Sequence, residues 1–277
     1  MIHLVDQPKN QPMDRTITNM LIICNTNQNG PLLNTGVTLA RKCKSKLHLL
    51  LPENDKQTSL AETLSSEIKK AGLAEPEIRY GPGTSLKHLL QAAKDSQADL
   101  VVLCQQSKEP TGIFQHSTAF KLACASDCPV LTIPEAQNHH DFSRMLVHLD
   151  ATPETRQKLG VAGILAAACG AEVHVVGASR EKDRESTHHL DVFCSHAEKY
   201  FQDKGLKTSC STASGVNVGE TLKERAEQIR AGLVVMMTET EPAGMFATPY
   251  TEWLMKQQSV PVLAMRPREM GVAGGGL

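Results

Sequence analysis

The sequence predicts an α/β protein built from two tandem, doubly wound parallel-sheet domains of five strands each, packed as an internal pseudo-dimer. Three observations carry this expectation. The chain repeats itself once, in order, over almost its whole length. Its strand segments are continuously apolar rather than alternating. Amphipathic helical patterns separate those strands.

The repeat is read block by block. Met20-Leu-Ile-Ile-Cys-Asn25 matches Met145-Leu-Val-His-Leu-Asp150, and Leu47-His48-Leu-Leu matches Val173-His174-Val-Val. Ala98-Asp-Leu-Val-Val-Leu103 matches Ala231-Gly-Leu-Val-Val-Met236. Glu109-Pro-Thr-Gly112-Ile-Phe114 matches Glu241-Pro-Ala-Gly244-Met-Phe246, and Pro129-Val-Leu-Thr-Ile133 matches Pro261-Val-Leu-Ala-Met265. The offset moves only from 125 residues at Met20/Met145 to 132 at Pro129/Pro261. That drift fits duplication with small loop changes, and the unit is long enough to be a whole domain rather than one turn of a solenoid. The polar seam Glu135 to Ser143, with Asn138, His139, His140 and Asp141, is too short for a loose tether.

Strands are expected at 20–24, 46–51, 77–80, 98–104 and 129–133, and again at 144–149, 172–177, 207–212, 232–237 and 261–265. Runs such as Leu100-Val-Val-Leu and Leu233-Val-Val-Met are apolar at every position. Strands covered on both faces read this way, which means a parallel sheet between two helical layers.

Helices are expected from near Pro31 to Lys44 and from Pro153 to Cys169, the latter with proline in the first turn, where its missing N–H costs little. Others run from Thr58 to Ala71, stopping at Gly72, and from about Glu185 to Asp203, stopping at Gly205. A third in the first copy follows Ser85 as N-cap. A fourth follows Ser117 in one copy and Pro249 in the other. Right-handed crossovers turn this β-α-β order into a doubly wound open sheet. Pro129 and Pro261 start the last strands, which are therefore edge strands. An unpaired edge invites pairing with its duplicate.

Composition bounds the function. The 277 residues are 40% apolar but only 4% aromatic, so the cores are aliphatic. The net charge of −1 provides no field to draw nucleic acid or an anionic membrane. No apolar run is long enough to span a bilayer, and the polar stretch Met1 to Arg15, with Pro8 and Pro12, lacks the apolar core of a secretory signal. Of eight cysteines, Cys24, Cys104, Cys124 and Cys169 sit in apolar runs, as small buried hydrophobes do. A reduced, cytoplasmic protein is expected.

In a doubly wound sheet the ligand crevice lies beyond the carboxyl ends of the strands, where the winding reverses. Asn25 and Asp150 end the two first strands there. With the Asp-Leu-Val-Val fourth strand, its following loop and small helix, and the final Cys-Pro-Val-Leu-Thr-Ile strand, this arrangement resembles the universal stress protein family in its tandem form, from about residue 16 to residue 267. The resemblance implies domains at 16–135 and 144–267; the polar stretch 1–15 reads as an N-terminal extension, and 268–277, with Gly274, Gly275 and Gly276, as a flexible tail.

ATP-binding members of that family follow the fourth strand with Gly-x-x-Gly and then, after a short loop, Gly-Ser or Gly-Thr. Here the first glycines align with Cys104 and Ser107 in one copy and with Met237 and Thr240 in the other. The Gly-Ser step aligns with His116-Ser117 and with Thr248-Pro249. Only Ser117 keeps a phosphate-type hydroxyl, and Pro249 removes a backbone N–H. The acidic strand-end residue survives as Asp150 but is Asn25 in the first copy. Gly112 and Gly244 lie inside the loop and permit a turn beside Phe114 and Phe246, which are expected to pack into the core. The degenerate nucleotide cleft would thus comprise Asp150, Asn25, Ser117, Thr240 and Thr248. No cofactor is expected, ATP included.

Other constellations carry less. His188, His189, Cys194 and His196 do not share one helix face at ligand spacing, so a solvated face with one buried cysteine is expected rather than a metal site. His139 and His140 belong to the seam. Cys124 and Cys128 are packed thiols or a redox pair. His48 and His174 hold equivalent structural places on strands. Arg41, Lys42, Lys44 and Lys46 lie at a helix C-terminus, where cations are favourable. No Gly-x-Ser-x-Gly, P-loop or dinucleotide fingerprint is present.

The resemblance implies a non-catalytic cytosolic stress-response protein acting through a protein partner or small ligand, with no nucleic-acid or membrane partner, and with the whole chain pairing again as a homodimer. The alternative is a nucleotide sensor or weak ATPase working through the second copy, Asp150 facing base or ribose and N–H groups near Thr248 taking phosphate. An enzyme or electron-transfer subunit on the same general fold is a third reading.

Overall fold

The structure, a computed structural model, describes residues 16–24, 30–53, 60–81, 85–105, 116–135, 141–239 and 248–268. Asn25, Thr240, Gly112, Gly244, Phe114, Phe246, His139, His140 and both termini lie outside them.

The first half contains β1 (Asn19–Ile23), α1 (Gly30–Cys43), β2 (Lys46–Pro52), α2 (Leu60–Lys70), β3 (Glu77–Gly81), α3 (Leu86–Asp95), β4 (Leu100–Gln105), α4 (Thr118–Ala125) and β5 (Val130–Pro134). The second repeats it as β6 (Arg144–Leu149), a 3-10 turn (Pro153–Lys158) with α5 (Leu159–Cys169), β7 (Glu172–Ser179), α6 (Arg184–Asp203), β8 (Thr208–Ser214), α7 (Val218–Ile229), β9 (Leu233–Met237), α8 (Tyr250–Gln257) and β10 (Val262–Met265). Each expected strand is present. Gly72 and Gly205 stand where helices end, with φ of 80° and 74°, the left-handed conformation that favours glycine.

Two local expectations need correction. The helix expected from Pro153 starts as a 3-10 turn, because Asp150 and Thr155 tie its first residues down; Thr155 N–H bonds Thr152 O at 3.2 Å, an i to i+3 bond. Ser85 holds the N-cap position of α3, but its hydroxyl pairs with His88 Nδ1 at 3.0 Å and caps no backbone N–H.

All ten strands form one sheet in the order β3-β2-β1-β4-β5-β10-β9-β6-β7-β8. Within each half the pairing is parallel. At the centre β5 and β10 run antiparallel, Leu131 opposite Leu263, with Thr132 Oγ1 donating to Val262 O at 3.1 Å. The strands begun by Pro129 and Pro261 thus pair with each other, as their edge character predicts. The halves are related by a pseudo-two-fold axis at this seam.

Side-chain alternation splits the core in two. Met20, Ile22, Leu49, Val102, Val147 and Val235 face one way and pack under α1, α2, α5 and α6. Leu21, Ile23, Leu103, Leu146 and Met236 face the other and pack under α3, α4, α7 and α8. Coverage on both faces explains why the strands read as unbroken apolar runs.

Candidate functional site

The crevice of the second half forms where β6 and β9 part. Asp150 follows β6 directly. Its Oδ1 accepts Thr152 N–H at 2.8 Å and Thr152 Oγ1–H at 2.5 Å. Its own N–H donates to Thr155 Oγ1 at 3.0 Å. That hydroxyl also accepts from Lys158 Nζ at 2.7 Å. Lys158 and Thr155 are both fully buried. Burial pushes the Lys158 ammonium down to about 8, against the pull of Asp150.

His148, two residues before Asp150, is also fully buried. Its Nε2–H donates to Ala178 O at 3.2 Å, while Nδ1 has no partner among the described residues. Burial, reinforced by Lys158, pushes the imidazole down to about 4, so it is neutral at ordinary pH. Tyr250, the first residue of α8, meets its ring edge-on at 5.4 Å, and the Arg180 guanidinium lies 5.6 Å from the Tyr250 ring centre. Burial, then Asp150 and Glu239, raise the Tyr250 phenol well above its usual range.

The N-termini of α4 and α8 are the positions where a nucleotide phosphate would meet exposed N–H groups. Both N-termini bind carboxylates of this chain. At α4, Ser117 caps the helix, its Oγ accepting Phe120 N–H at 3.2 Å. Ser117 N–H itself donates to Glu252 Oε1 at 2.7 Å, and His116 Nδ1 lies 2.5 Å from Glu252 Oε2. Glu252 belongs to α8 of the other half, is 1% exposed, and also pairs with Lys256 at 2.9 Å. Burial alone would raise its carboxyl; His116, Lys256 and Ser117 outweigh that and hold it low.

At α8, Pro249 holds the N-cap position with no side-chain cap. Glu239, just beyond β9, supplies the acceptor instead: its Oε1 takes Thr251 N–H at 3.2 Å. Its Oε2 is buried without a hydrogen-bond partner among the described residues. Burial raises this carboxyl above its usual range.

Of the residues read from the sequence as the degenerate cleft, Asp150, Ser117 and Thr248 lie in described segments. Asp150 joins a buried polar cluster, Ser117 is a helix cap bonded to Glu252, and Thr248 is exposed. Sequence reasoning missed His148, Lys158, Glu239 and Glu252. A signal for two of them exists in the repeat: at the 125-residue offset His148 stands opposite Ile23 and Lys158 opposite Leu33, polar against apolar. The two glutamates act across 12 and 135 residues of sequence and leave no local pattern.

Cys124 interacts with Thr238, Glu239 and Glu252 near the N-terminus of α8, while Cys128 Sγ lies 3.4 Å from Ser126 Oγ. His48 and His174 occupy the same register on β2 and β7, near the amino ends of the strands. His189 stacks on Phe193 at 5.8 Å, Cys194 is buried, and no cluster of metal-ligating side chains occurs among the described residues. No helix among them is long and apolar enough to cross a membrane.

No protein-family model matches the sequence, and no curated protein matches it. Solved structures do match the fold along nearly the full chain. A universal stress protein from Archaeoglobus fulgidus DSM 4304 superposes with a TM-score of 0.71 at 15% identity, covering 94% of this chain and 99% of that one. A candidate universal stress protein from Pseudomonas aeruginosa UCBPP-PA14 gives 0.65 at 17% identity, covering 92% and 95%. A protein of unknown function from Pseudomonas aeruginosa PAO1 gives 0.65 at 18% identity, covering 91% and 93%. With the mirrored strand order and the antiparallel β5–β10 seam, these likenesses establish that the chain has the universal stress protein fold in its tandem form.

Proposed function

We propose that this chain is a universal stress protein that acts without catalysis, by binding a protein partner or a small ligand, and that it does not use ATP. The observation that carries the reading is the pair of carboxylates at the N-termini of α4 and α8. A phosphate there would have to displace Glu252 or Glu239, or share its donors with a like charge. The loss of the loop glycines read from the sequence supports the same conclusion. The near-neutral net charge fits a cytoplasmic protein with no nucleic-acid or membrane partner. In this reading the complete chain pairs again as a homodimer.

A second reading keeps one specific observation in its favour. Asp150 stands at the switch point beside Lys158, so a nucleoside-like group could still be held by the second half. The test is native mass spectrometry of the purified full-length protein, followed by denaturation and identification of released small molecules. The proposal expects a mass free of adenine nucleotide. Release of about one nucleotide per chain would replace it with the second reading.

A further inference from the structure

We propose that Cys194 and Cys210 form a thiol pair that closes to a reversible disulfide when the protein meets a hydroperoxide, tying α6 to the outermost strand β8. Cys194 sits in the middle of α6, 2% exposed, on the face turned to the sheet. Cys210, on β8 opposite Val175 of β7, is half-buried, and β8 pairs with β7 alone among the described residues. Both side chains lie in the same core layer, Cys210 packed against the cluster that holds Cys194, and the two thiols interact across the α6–β8 contact.

Gly177 on β7 makes the approach possible. A Cβ there would stand 2.7 Å from Cys194 Sγ and 3.1 Å from Thr212 Cγ2. Glycine therefore leaves the space into which the Cys194 sulfur descends toward β8. The neighbouring Cys194 thiol lowers the pKa of Cys210 and so favours its thiolate, while Cys194 is held as the thiol. Cys43 and Cys169, at the ends of α1 and α5, are instead both pushed up to about 11 by burial.

The chemistry balances with one hydroperoxide. The Cys210 thiolate attacks its terminal oxygen: an S–O bond forms, the O–O bond breaks, and the departing oxygen takes up a proton. The Cys194 sulfur then attacks the Cys210 sulfur. The S–S bond forms, the S–O bond breaks, and hydroxide leaves as water with the Cys194 proton. Two thiols are oxidised and one hydroperoxide is reduced.

The experiment treats the full-length protein with equimolar hydrogen peroxide, alkylates the remaining thiols and digests with trypsin. Each cysteine falls in a peptide with no other, residues 185–199 and 208–223. The expected product is these two peptides joined, lighter by two hydrogen atoms than their sum and separated by reductant. The intact oxidised protein should melt about 5 °C higher, and Cys210→Ser should abolish that shift. In Cys194→Ser, peroxide should leave a sulfenic acid on Cys210 that dimedone traps. Recovery of both peptides fully alkylated, or of either joined to a different cysteine, overturns the proposal, as does a Cys210 in Cys194→Ser that dimedone fails to label.

Discussion

At the same strand position the first half carries Ile23 and the second carries His148; at the same offset Leu33 faces Lys158. Ile23 and Leu33 are part of an ordinary aliphatic core, while His148 and Lys158 are fully buried beside Thr155 and the partly exposed Asp150. A like contrast holds at the two helix N-termini. That of α4 is closed by Glu252 from the other half, and that of α8 by Glu239 from its own half. Duplication has preserved the sheet almost strand for strand, while the crevice floors and the anion-binding turns have diverged. The differences sit at the carboxyl end of β6, in the turn that follows it and at the N-termini of α4 and α8.

The contact across the seam should show the largest effect. Glu252→Ala strips the acceptor from Ser117 N–H, His116 and Lys256 at once and should cost about 3 kcal/mol, read as a melting temperature lowered by about 8 °C. Because the folded Glu252 carboxyl is held low, its contribution is present above about pH 4.5 and fades as pH falls through the lower folded value. The gap between wild type and variant should therefore narrow in acid. A variant as stable as wild type at pH 7 would mean that Glu252 does not join the halves.

The second test sharpens the contrast between crevice floors. Buried His148 stays neutral down to about pH 4, whereas the unfolded chain takes up a proton near pH 6.5. Stability should fall as pH drops across that window, by roughly 2 kcal/mol at pH 4.5. His148→Gln should flatten this acid limb, and equal urea midpoints against pH in both proteins would remove His148 from the account.

Glu239 gives the smallest effect, with the opposite sign to Glu252. Its folded carboxyl is raised, so its contribution is fully present below pH 4.5 and lost as pH rises through the folded value. Glu239→Gln keeps an acceptor for Thr251 N–H and removes the buried charge. It should stabilise by under about 1 kcal/mol at pH 8 and by less at pH 4.5. A destabilised variant at pH 8 would show the charge itself to be favourable there.

The sheet was readable in the sequence because burial on both faces imposes unbroken apolar runs, and because Pro129 and Pro261 mark edges that must find a partner. The crevice was readable only in part. Asp150 and Ser117 are found by position, since strand ends and helix caps are local features. Glu252 is not, because it reaches Ser117 across 135 residues and stands in its own helix where the first half has Phe120. The Cys194–Cys210 contact is hidden likewise, joining a helix to an edge strand whose register only the folded sheet defines. The helix reading of Pro153–Lys158 failed on the Asp150 and Thr155 side-chain bonds that tighten that turn.

Calorimetric titration of the full-length protein with magnesium-ATP tests the central claim most directly. With Glu252 and Glu239 on the donors of α4 and α8, no saturable heat should appear up to ATP concentrations on the order of 1 mM. Saturable binding at one nucleotide per chain or per half would contradict it.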